Sequence, residues 1–289
     1  MKKLILLVGP PGSGKTTYSD NYIKYNPSFK RISQDDMGKQ EHFVAFQTHL
    51  SKGEDIILDR MNFNKDQRKK YLNPAKEVGY ETKIIVFHTP FKTCLERCKI
   101  RENHPTVQDE ATARKVLHFF FTRYERVEDN EADEVKRFGW EEERQKAIIC
   151  DLDGTLANCD HRSHFVREGK KDWKSFMLNI PGDTLNKWCK DLLIAMYVNN
   201  CQTILCSGRS DEEERVTRDW LQKNKVWFDA LHMRRRGDSR KDSIVKEIIL
   251  DFELLTRYDI LFAIDDRQQV VDMYRNRGIT VLQCAKGDF

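Results

Sequence analysis

The chain has 289 residues, 39% of them hydrophobic and 33% charged, with a formal net charge of +4 at pH 7. That length admits one large domain or two of ordinary size, and no apolar stretch approaches membrane-spanning length. Eight cysteines without any Cys-x-x-Cys pair, several of them inside apolar strand-like runs, exclude a disulfide scaffold and a zinc site and point to reduced thiols in a cytosolic protein.

Leu4 to Val8 is a continuous apolar run that leads into Gly9-Pro10-Pro11-Gly12-Ser13-Gly14-Lys15-Thr16, with Thr17 next. The run predicts a strand and the segment from Lys15 to about Tyr25 a helix, so the G-x-x-x-x-G-K-[ST] pattern stands in the context of a phosphate-binding loop. Glycines there let backbone amides turn inward around phosphates, and the helix N-terminus adds partial positive charge. Lys15 is expected at the β/γ-phosphates and the Thr16 hydroxyl at Mg²⁺. Gly9, Gly12, Ser13, Gly14, Lys15, Thr16 and Thr17 are thus the candidate residues for a nucleoside triphosphate.

Tyr18, Tyr22 and Ile23 turn toward the sheet. A second short strand is expected around Arg31-Ile32-Ser33, with Asp35-Asp36 at its end. Two readings stand open there: a base that accepts a proton from an incoming hydroxyl, or an N-cap for a helix starting near Met37. Glu54 to Asp59 reads as a strand ending in an acid near magnesium, followed by a polar loop, Arg60 to Asn64. The next helix carries Arg68, Lys69 and Lys70 as a solvated face. A strand at Lys83 to Phe87 precedes a helix with Cys94, Leu95 and Cys98. On it Arg97 and Arg101 share one face, a natural clamp for transferring phosphate. Val116 to Tyr124 is a strongly apolar helix of the core or of an interface. Glu125 to Lys146 reads as a charged, partly helical connection holding the domain boundary, with one domain over 1–140 and another over 141–289.

The second half opens on Ile148-Ile149-Cys150-Asp151-Leu152-Asp153-Gly154-Thr155. A buried strand delivering acids to its carboxyl edge fits this run, since open α/β sheets bind ligands there. On a continuing strand Asp151 and Asp153 would point the same way, about 7 Å apart. One could attack or hold a metal while the other handles a proton. A polar segment to about Pro181 holds Arg162 and a short helix with Trp173 and Phe176. A helix from Asp183 to Asn199 then leads to a strand ending in Ser207-Gly208-Arg209. Arg234-Arg235-Arg236 to Arg240-Lys241 is densely basic, either plain surface or a contact for a nucleic-acid backbone. Asp242 and Lys246 follow, and Ile260 to Ile264 ends in Asp265-Asp266. Successive strand ends thus present Asp151 and Asp153, Ser207, and Asp265 and Asp266. Mg²⁺ held by these acids (Asp151, Asp153, Asp265 and Asp266 are the candidate ligands) would offset repulsion between an anionic nucleophile and a phosphate. Asp151 is then the nucleophile, Asp153 the protonated acid, and Lys246 and Ser207 the groups holding phosphoryl oxygens.

On Asp151-x-Asp153-Gly-Thr, Ser207-Gly-Arg209, Lys246 and Asp265-Asp266, the second half resembles haloacid-dehalogenase-superfamily phosphatases. The first half, on its phosphate loop, resembles P-loop polynucleotide kinases. In this order the chain resembles the bacteriophage-type polynucleotide 5′-kinase/3′-phosphatases over nearly its whole length. The resemblance implies an α/β protein: a P-loop kinase domain with a parallel sheet, then a Rossmann-like phosphatase domain. It implies Asp35 as general base for a 5′-hydroxyl, Lys15 and Thr16 serving ATP, Arg101 as the lid arginine, and Arg162, Gly208, Arg209 and Asp242 around the phosphatase substrate. It also implies a homo-oligomer, host-cell cytoplasm if phage-encoded, and a ligase acting downstream. The family places an arginine three residues after the base; here Gly38 stands there, followed by Lys39 as the substitute cation, and an arginine restored at 38 is expected to tighten acceptors. The loop at Asn62 and Asn64 is one residue longer than the family's form, with Asn62 kept as an acceptor contact.

The function expected is therefore repair of nucleic-acid ends: a 5′-hydroxyl phosphorylated, a 3′-phosphate removed, RNA or DNA undecided. The rivals are a small-molecule kinase fused to a nucleotidase, and a non-catalytic end-binding protein. Preference for oligonucleotides and loss of affinity with salt separate the first rival; end-binding without turnover marks the second.

Overall fold

A computed structural model describes residues 2–100, 109–139, 143–166 and 171–287. The chain divides into two compact units, Met1–Trp140 and Glu141–Phe289.

The first unit runs β1 (Lys3–Val8), α1 (Lys15–Tyr25), β2 (Phe29–Ser33), α2 (Gln34–Met37), α3 (Glu41–Ser51), β3 (Asp55–Asp59), α4 (Lys65–Glu77), β4 (Glu81–Phe87), α5 (Phe91–Ile100), α6 (Glu110–Phe121) and β5 (Glu134–Phe138). Its strands form one sheet in the order β2-β3-β1-β4-β5, every pair parallel. Parallel strands need covered faces, which is why Leu4 to Val8 and Ile56 to Leu58 are apolar without alternation and fully or almost fully buried. Tyr18, Tyr22 and Ile23 of α1 pack on Ile5, Leu7, Phe29, Ile57, Ile85 and Phe87, as the spacing on α1 requires. Each such side chain withdrawn from water contributes roughly 1.5–3 kcal/mol. Two expectations fail here. The charged stretch after Tyr124 supplies the edge strand β5, paired with β4, where partial helix was expected. Arg68 is fully buried, not solvated: its guanidinium grips both Glu131 oxygens at 2.6 and 2.9 Å and the carbonyls of Asn62, Glu125 and Arg126.

The second unit runs β6 (Gln145–Cys150), β7 (Ala157–Asn158), α7 (Asp160–Ser163), α8 (Trp173–Leu178), β8 (Thr184–Leu185), α9 (Lys187–Val198), β9 (Gln202–Ser210), α10 (Glu214–Lys223), β10 (Ala230–Arg234), α11 (Asp242–Ile249), β11 (Tyr258–Arg267), α12 (Gln268–Asn276) and β12 (Val281–Gly287). Its main sheet has the order β10-β9-β6-β11-β12, again parallel throughout. Because strand residues alternate, Ile148 and Cys150 pack with Leu193, Leu205 and Trp220 on one face. Ala147 and Ile149 pack with Val245, Ala263 and Val270 on the other.

Register carries the functional residues to the sheet edges. Cys150 pairs with Leu205 and Ile264, so Asp151, Cys206-Ser207 and Asp265 emerge side by side. Ser33 pairs with Asp59 and Leu58 with Leu6, so the turn after β2, the Asp59-Arg60 step and the phosphate loop share the other edge. Among the described residues, no helix is long and apolar enough to cross a membrane.

Candidate active sites

In the first unit, Gly12 and Gly14 of the loop after β1 hold φ of 75° and 100°, and a Cβ on Gly12 would meet the Cys94 carbonyl oxygen at 2.6 Å. The loop closes by Ser13 N donating to the Pro10 carbonyl at 3.2 Å, which also accepts from Lys15 Nζ at 2.8 Å. Lys15 and Thr16 line a cavity of about 250 Å³ with Gln34, Asp35, Asp59 and Arg60. Thr17 lies on a second cavity, with Tyr18, Asn21 and Arg97, on the side of α5. Arg97 Nη1 reaches the Gly12 carbonyl at 3.5 Å; Arg101 lies outside the described residues.

The Asp35-Asp36 pair divides cleanly. Ser33, not either aspartate, caps α2, its Oγ accepting from Asp36 N at 3.3 Å. The Asp36 carboxylate takes Arg31 Nη1 at 2.5 Å. Asp35 faces the cavity, is exposed, and among the described residues makes no hydrogen bond. Asp59 shares Arg31 through Nη2 at 2.8 Å, so one carboxylate oxygen is committed.

In the second unit, β6 ends at Cys150, and Asp151 to Leu156 form a tight turn closed by Thr155 N and Ala157 N on the Leu152 carbonyl. Asp151 and Asp153 therefore do not share one strand face, and each meets its own partners. Lys246 Nζ donates to Asp151 Oδ1 at 2.6 Å and Asp265 Oδ2 at 2.8 Å, with Asp242 Oδ2 at 3.3 Å. Burial would lower the Lys246 pKa, but Asp151, Asp242 and Asp265 outweigh it and hold it well above the usual lysine value. Burial and the Asp265, Asp266 and Asp242 charges push Asp151 up against the opposing pull of Lys246. Burial and Asp265 push Asp266 up to about 6.

Oxygens of Asp151, Asp265 and Asp266 lie within 4.8 Å of one another, and Asp266 Oδ1 is buried without a hydrogen-bond partner. Crowded, buried carboxylates with an unsatisfied oxygen are the donor set a hard divalent cation fits. Gly154, at φ 87°, admits Asp266 to this cluster: a Cβ there would meet Asp266 Oδ2 at 2.3 Å.

Asp153 stands outside that oxygen cluster. Arg162 Nη2 donates to it at 2.5 Å, and Arg209 at 2.5 to 3.1 Å. Burial opposes ionisation, but the two guanidiniums prevail and hold the carboxyl well below its usual range. These ion pairs favour the carboxylate form of Asp153, whereas the expected role asks for a protonated acid. Both arginines also grip Asp183, Arg162 at 2.6 and 2.7 Å and Arg209 at 2.8 Å.

A cavity of about 920 Å³ opens on Asp151 and Asp153. Arg234, Arg240 and Arg267 line it together with Trp173, Met177 and Leu178, so a cationic wall and an apolar wall bound one space. The basic run is largely tied down: Arg234 donates to the carbonyls of Gly208, Asp238 and Arg240, and Arg240 pairs with Asp238.

Residues 145–289, half of the chain, match the family of the polynucleotide kinase PNKP phosphatase domain. The chain belongs to this family. Residues 4–125 match the AAA domain family, so the PNKP-family unit follows a P-loop unit. A protein of Autographa californica nuclear polyhedrosis virus named as a bifunctional polynucleotide kinase/RNA ligase is 23% identical over 95% of this chain and 41% of its own length. One of Acanthamoeba polyphaga mimivirus named as a bifunctional polynucleotide phosphatase/kinase is 31% identical over 43% of this chain and 28% of its own. This PNKP-family chain thus spans less than half the length of these curated relatives. Among solved structures, a chain of the Pnkp1/Rnl/Hen1 RNA repair complex is 24% identical, covering 100% of this chain and 97% of that one, with a TM-score of 0.45.

Within the PNKP-family unit, Asp151, Asp242 and Asp265 meet around Lys246, while Ser207 is buried with its Oγ accepting from Arg209 N at 3.2 Å. Gly208 and Arg209 line the cavity; Arg162 is fully buried and does not. Asn62 and Lys39, expected at the acceptor, are not on the cavity of the P-loop unit. Asn62 is fully buried, its Nδ2 donating to the Leu7 carbonyl at 2.8 Å, and it pins the loop to β1. Asn64 caps α4 through Gln67 N. Lys39 is exposed, and Gly38 holds φ 92° and ψ 171° at the end of α2, a backbone reason for glycine there. Sequence reasoning misses Asp183, which reads as the start of a helix that begins at Lys187, and Arg60 and Arg267, although each directly follows a strand-end acid (Asp59 and Asp266) that places it at the sheet edge.

Proposed function

We propose that this chain heals nucleic-acid ends: its first unit transfers the γ-phosphate of ATP to a 5′-hydroxyl, and its second hydrolyses a 3′-phosphate. The observation that carries this reading is the pairing, in one PNKP-family chain, of two phosphate-handling sites. One is a phosphate-loop cavity that ends on the unpartnered Asp35; the other is the Asp151, Asp265 and Asp266 cluster tied by Lys246.

In the first unit, Lys15 leaves the Pro10 carbonyl for the β- and γ-phosphates, and the loop amides bind the anionic oxygens. Asp35 accepts the proton of the 5′-hydroxyl as its oxygen attacks the γ-phosphorus, and Arg97 and Arg101 steady the transferred group. Thr16, with Asp59 beside it, would hold the Mg²⁺ that accompanies ATP.

In the second unit, Asp151, Asp265 and Asp266 would hold a divalent cation, which would offset the charge between nucleophile and phosphate. Asp151 attacks phosphorus, the bond to the 3′ oxygen breaks, and an aspartyl-phosphate forms. The incoming dianion competes for Arg209 on the cavity wall, raises the proton affinity of Asp153, and Asp153 draws a proton from solvent that it passes to the leaving alkoxide. As a carboxylate again, Asp153 takes a proton from the water that cleaves the aspartyl-phosphate. Lys246 and Ser207 bind the phosphoryl oxygens. The products, a 5′-phosphate and a 3′-hydroxyl, are the ends that a ligase joins.

One incubation tests this: purified protein, Mg²⁺ and labelled ATP with an oligonucleotide bearing 5′-hydroxyl and 3′-phosphate ends, analysed by mass. Gain of phosphate at the 5′ end and its loss from the 3′ end is the expected result. No change at either end, with turnover of nucleosides and nucleotides instead, would replace this reading by a small-molecule kinase and nucleotidase.

A further inference from the structure

Hydrolysis at Asp151 leaves one wall of its cavity without a task. The space is about 920 Å³, at the upper end of what sites for whole small molecules enclose and far more than a phosphoryl group fills. Asp151, Asp153 and Arg209 line it where the phosphate reacts, while Trp173, Phe176, Met177 and Leu178 of α8 line the same space. Trp173, Phe176 and Met177 fall at i, i+3 and i+4, on one helix face. Trp173 and Leu178 are 46% and 70% exposed, so this wall is not core.

The wall is also fixed with respect to the reacting acids. Asp172 caps α8, its side chain accepting from Ser175 N at 3.0 Å. The Trp173 ring meets Phe176 edge-on, with centroids 5.8 Å apart and planes at 84°. The Arg162 guanidinium lies over the Phe176 ring, 4.0 Å from its centroid, and its Nη1 donates to the Phe176 carbonyl at 3.2 Å. The same guanidinium donates to Asp153. One buried arginine thus holds both Asp153 and the ring against which Trp173 rests.

An indole held in place on the wall of a phosphate site is a stacking platform. Every nucleobase has a π-face to offer it, and a platform fixed in advance loses little ordering entropy on binding. A second phosphate does not suit this wall, because an anion drawn out of water against apolar side chains goes unpaired. Resting on the phosphatase reading above, we propose that α8 stacks the terminal nucleobase of the 3′-phosphate end on Trp173. The second unit then selects a nucleotide end over a bare sugar phosphate.

The test compares two substrates on the full chain with Mg²⁺: oligonucleotides ending in the same 3′-phosphate, one with a nucleobase on the last sugar and one with an abasic tetrahydrofuran unit there. The wild-type protein should favour the base-bearing end in kcat/KM by on the order of ten- to a hundredfold, the scale of one base stacked on an aromatic ring. In Trp173→Ala the ratio should collapse toward one, and Trp173→Phe should keep part of it. Since both substrates are measured on the same protein, a loss of folded protein cannot imitate the collapse. An unchanged ratio in Trp173→Ala, or no preference in the wild type, overturns the proposal while leaving the phosphatase reading in place. Release of phosphate from neither substrate by the wild type overturns both.

Discussion

Lys246 Nζ sits 2.6 Å from Asp151 Oδ1, both side chains buried, with Asp265 on the other side of the ammonium at 2.8 Å. One ammonium thus pairs at once with the candidate nucleophile and with an acid of the candidate cation site. Lys246→Met should reduce 3′-phosphatase turnover by about a hundredfold or more. It should also lower the stability of the second unit by roughly 3–5 kcal/mol, the usual effect of stranding buried charges. Mg²⁺ should restore part of that loss, because it binds the same carboxylates. Urea unfolding with and without Mg²⁺ reads this out, and equal midpoints would count against the cluster as a cation site.

The two activities should separate by mutation. Lys15→Ala is expected to remove 5′-kinase activity and spare the phosphatase, and Asp151→Asn to do the reverse. Lys15 and Asp151 lie in different compact units, each with its own sheet. Assays of both activities on each variant decide it; loss of both in either one would mean the units do not work independently.

Arg68 fills all its donor sites inside the first unit, on Glu131 and three carbonyls. Arg68→Met should leave Glu131 buried without its ion pair and cost about 3–5 kcal/mol. Arg68→Lys should rescue little, since an ammonium cannot reproduce the fork. Chemical denaturation of both variants checks this, and a midpoint near wild type for Arg68→Lys would refute the geometric account.

Gly38→Arg, which family resemblance alone predicts to tighten acceptors, should instead destabilise. Its φ of 92° and ψ of 171° lie in a region open almost only to glycine, at about 1–3 kcal/mol for other residues. The acceptor KM should rise or stay unchanged, because the Gly38 carbonyl anchors His42 and through it Tyr71. Thermal unfolding with acceptor kinetics tests both halves, and a lower KM at undiminished stability would restore the resemblance-based expectation.

The legible parts of the fold were its periodic and punctuated ones. The helix expected from Lys15 to about Tyr25 is α1 with those bounds, since a glycine-rich loop before it and Asn26-Pro27 after it delimit an amphipathic stretch. The β5 segment reads as charged connection in the sequence because an edge strand with half-exposed residues carries little apolar signal. The Asp183 to Asn199 helix lost its first turn because Asp183 is drawn into ion pairs with Arg162 and Arg209.

The sequence by itself determined the two candidate sites of this protein: a phosphate loop between strand and helix, and acids at successive strand ends. These are local patterns, written in neighbouring residues, and parallel pairing brings strand ends together whatever lies between. Only the tertiary structure decided which charges act and which are structural. Arg68 meets Glu131 across 63 residues, Arg209 meets Asp153 across 56, and Lys246 meets Asp151 across 95. A charged residue carries no periodicity that names its partner, so whether it clamps the fold, holds an acid ionised or faces a substrate is settled only when the sheets place it.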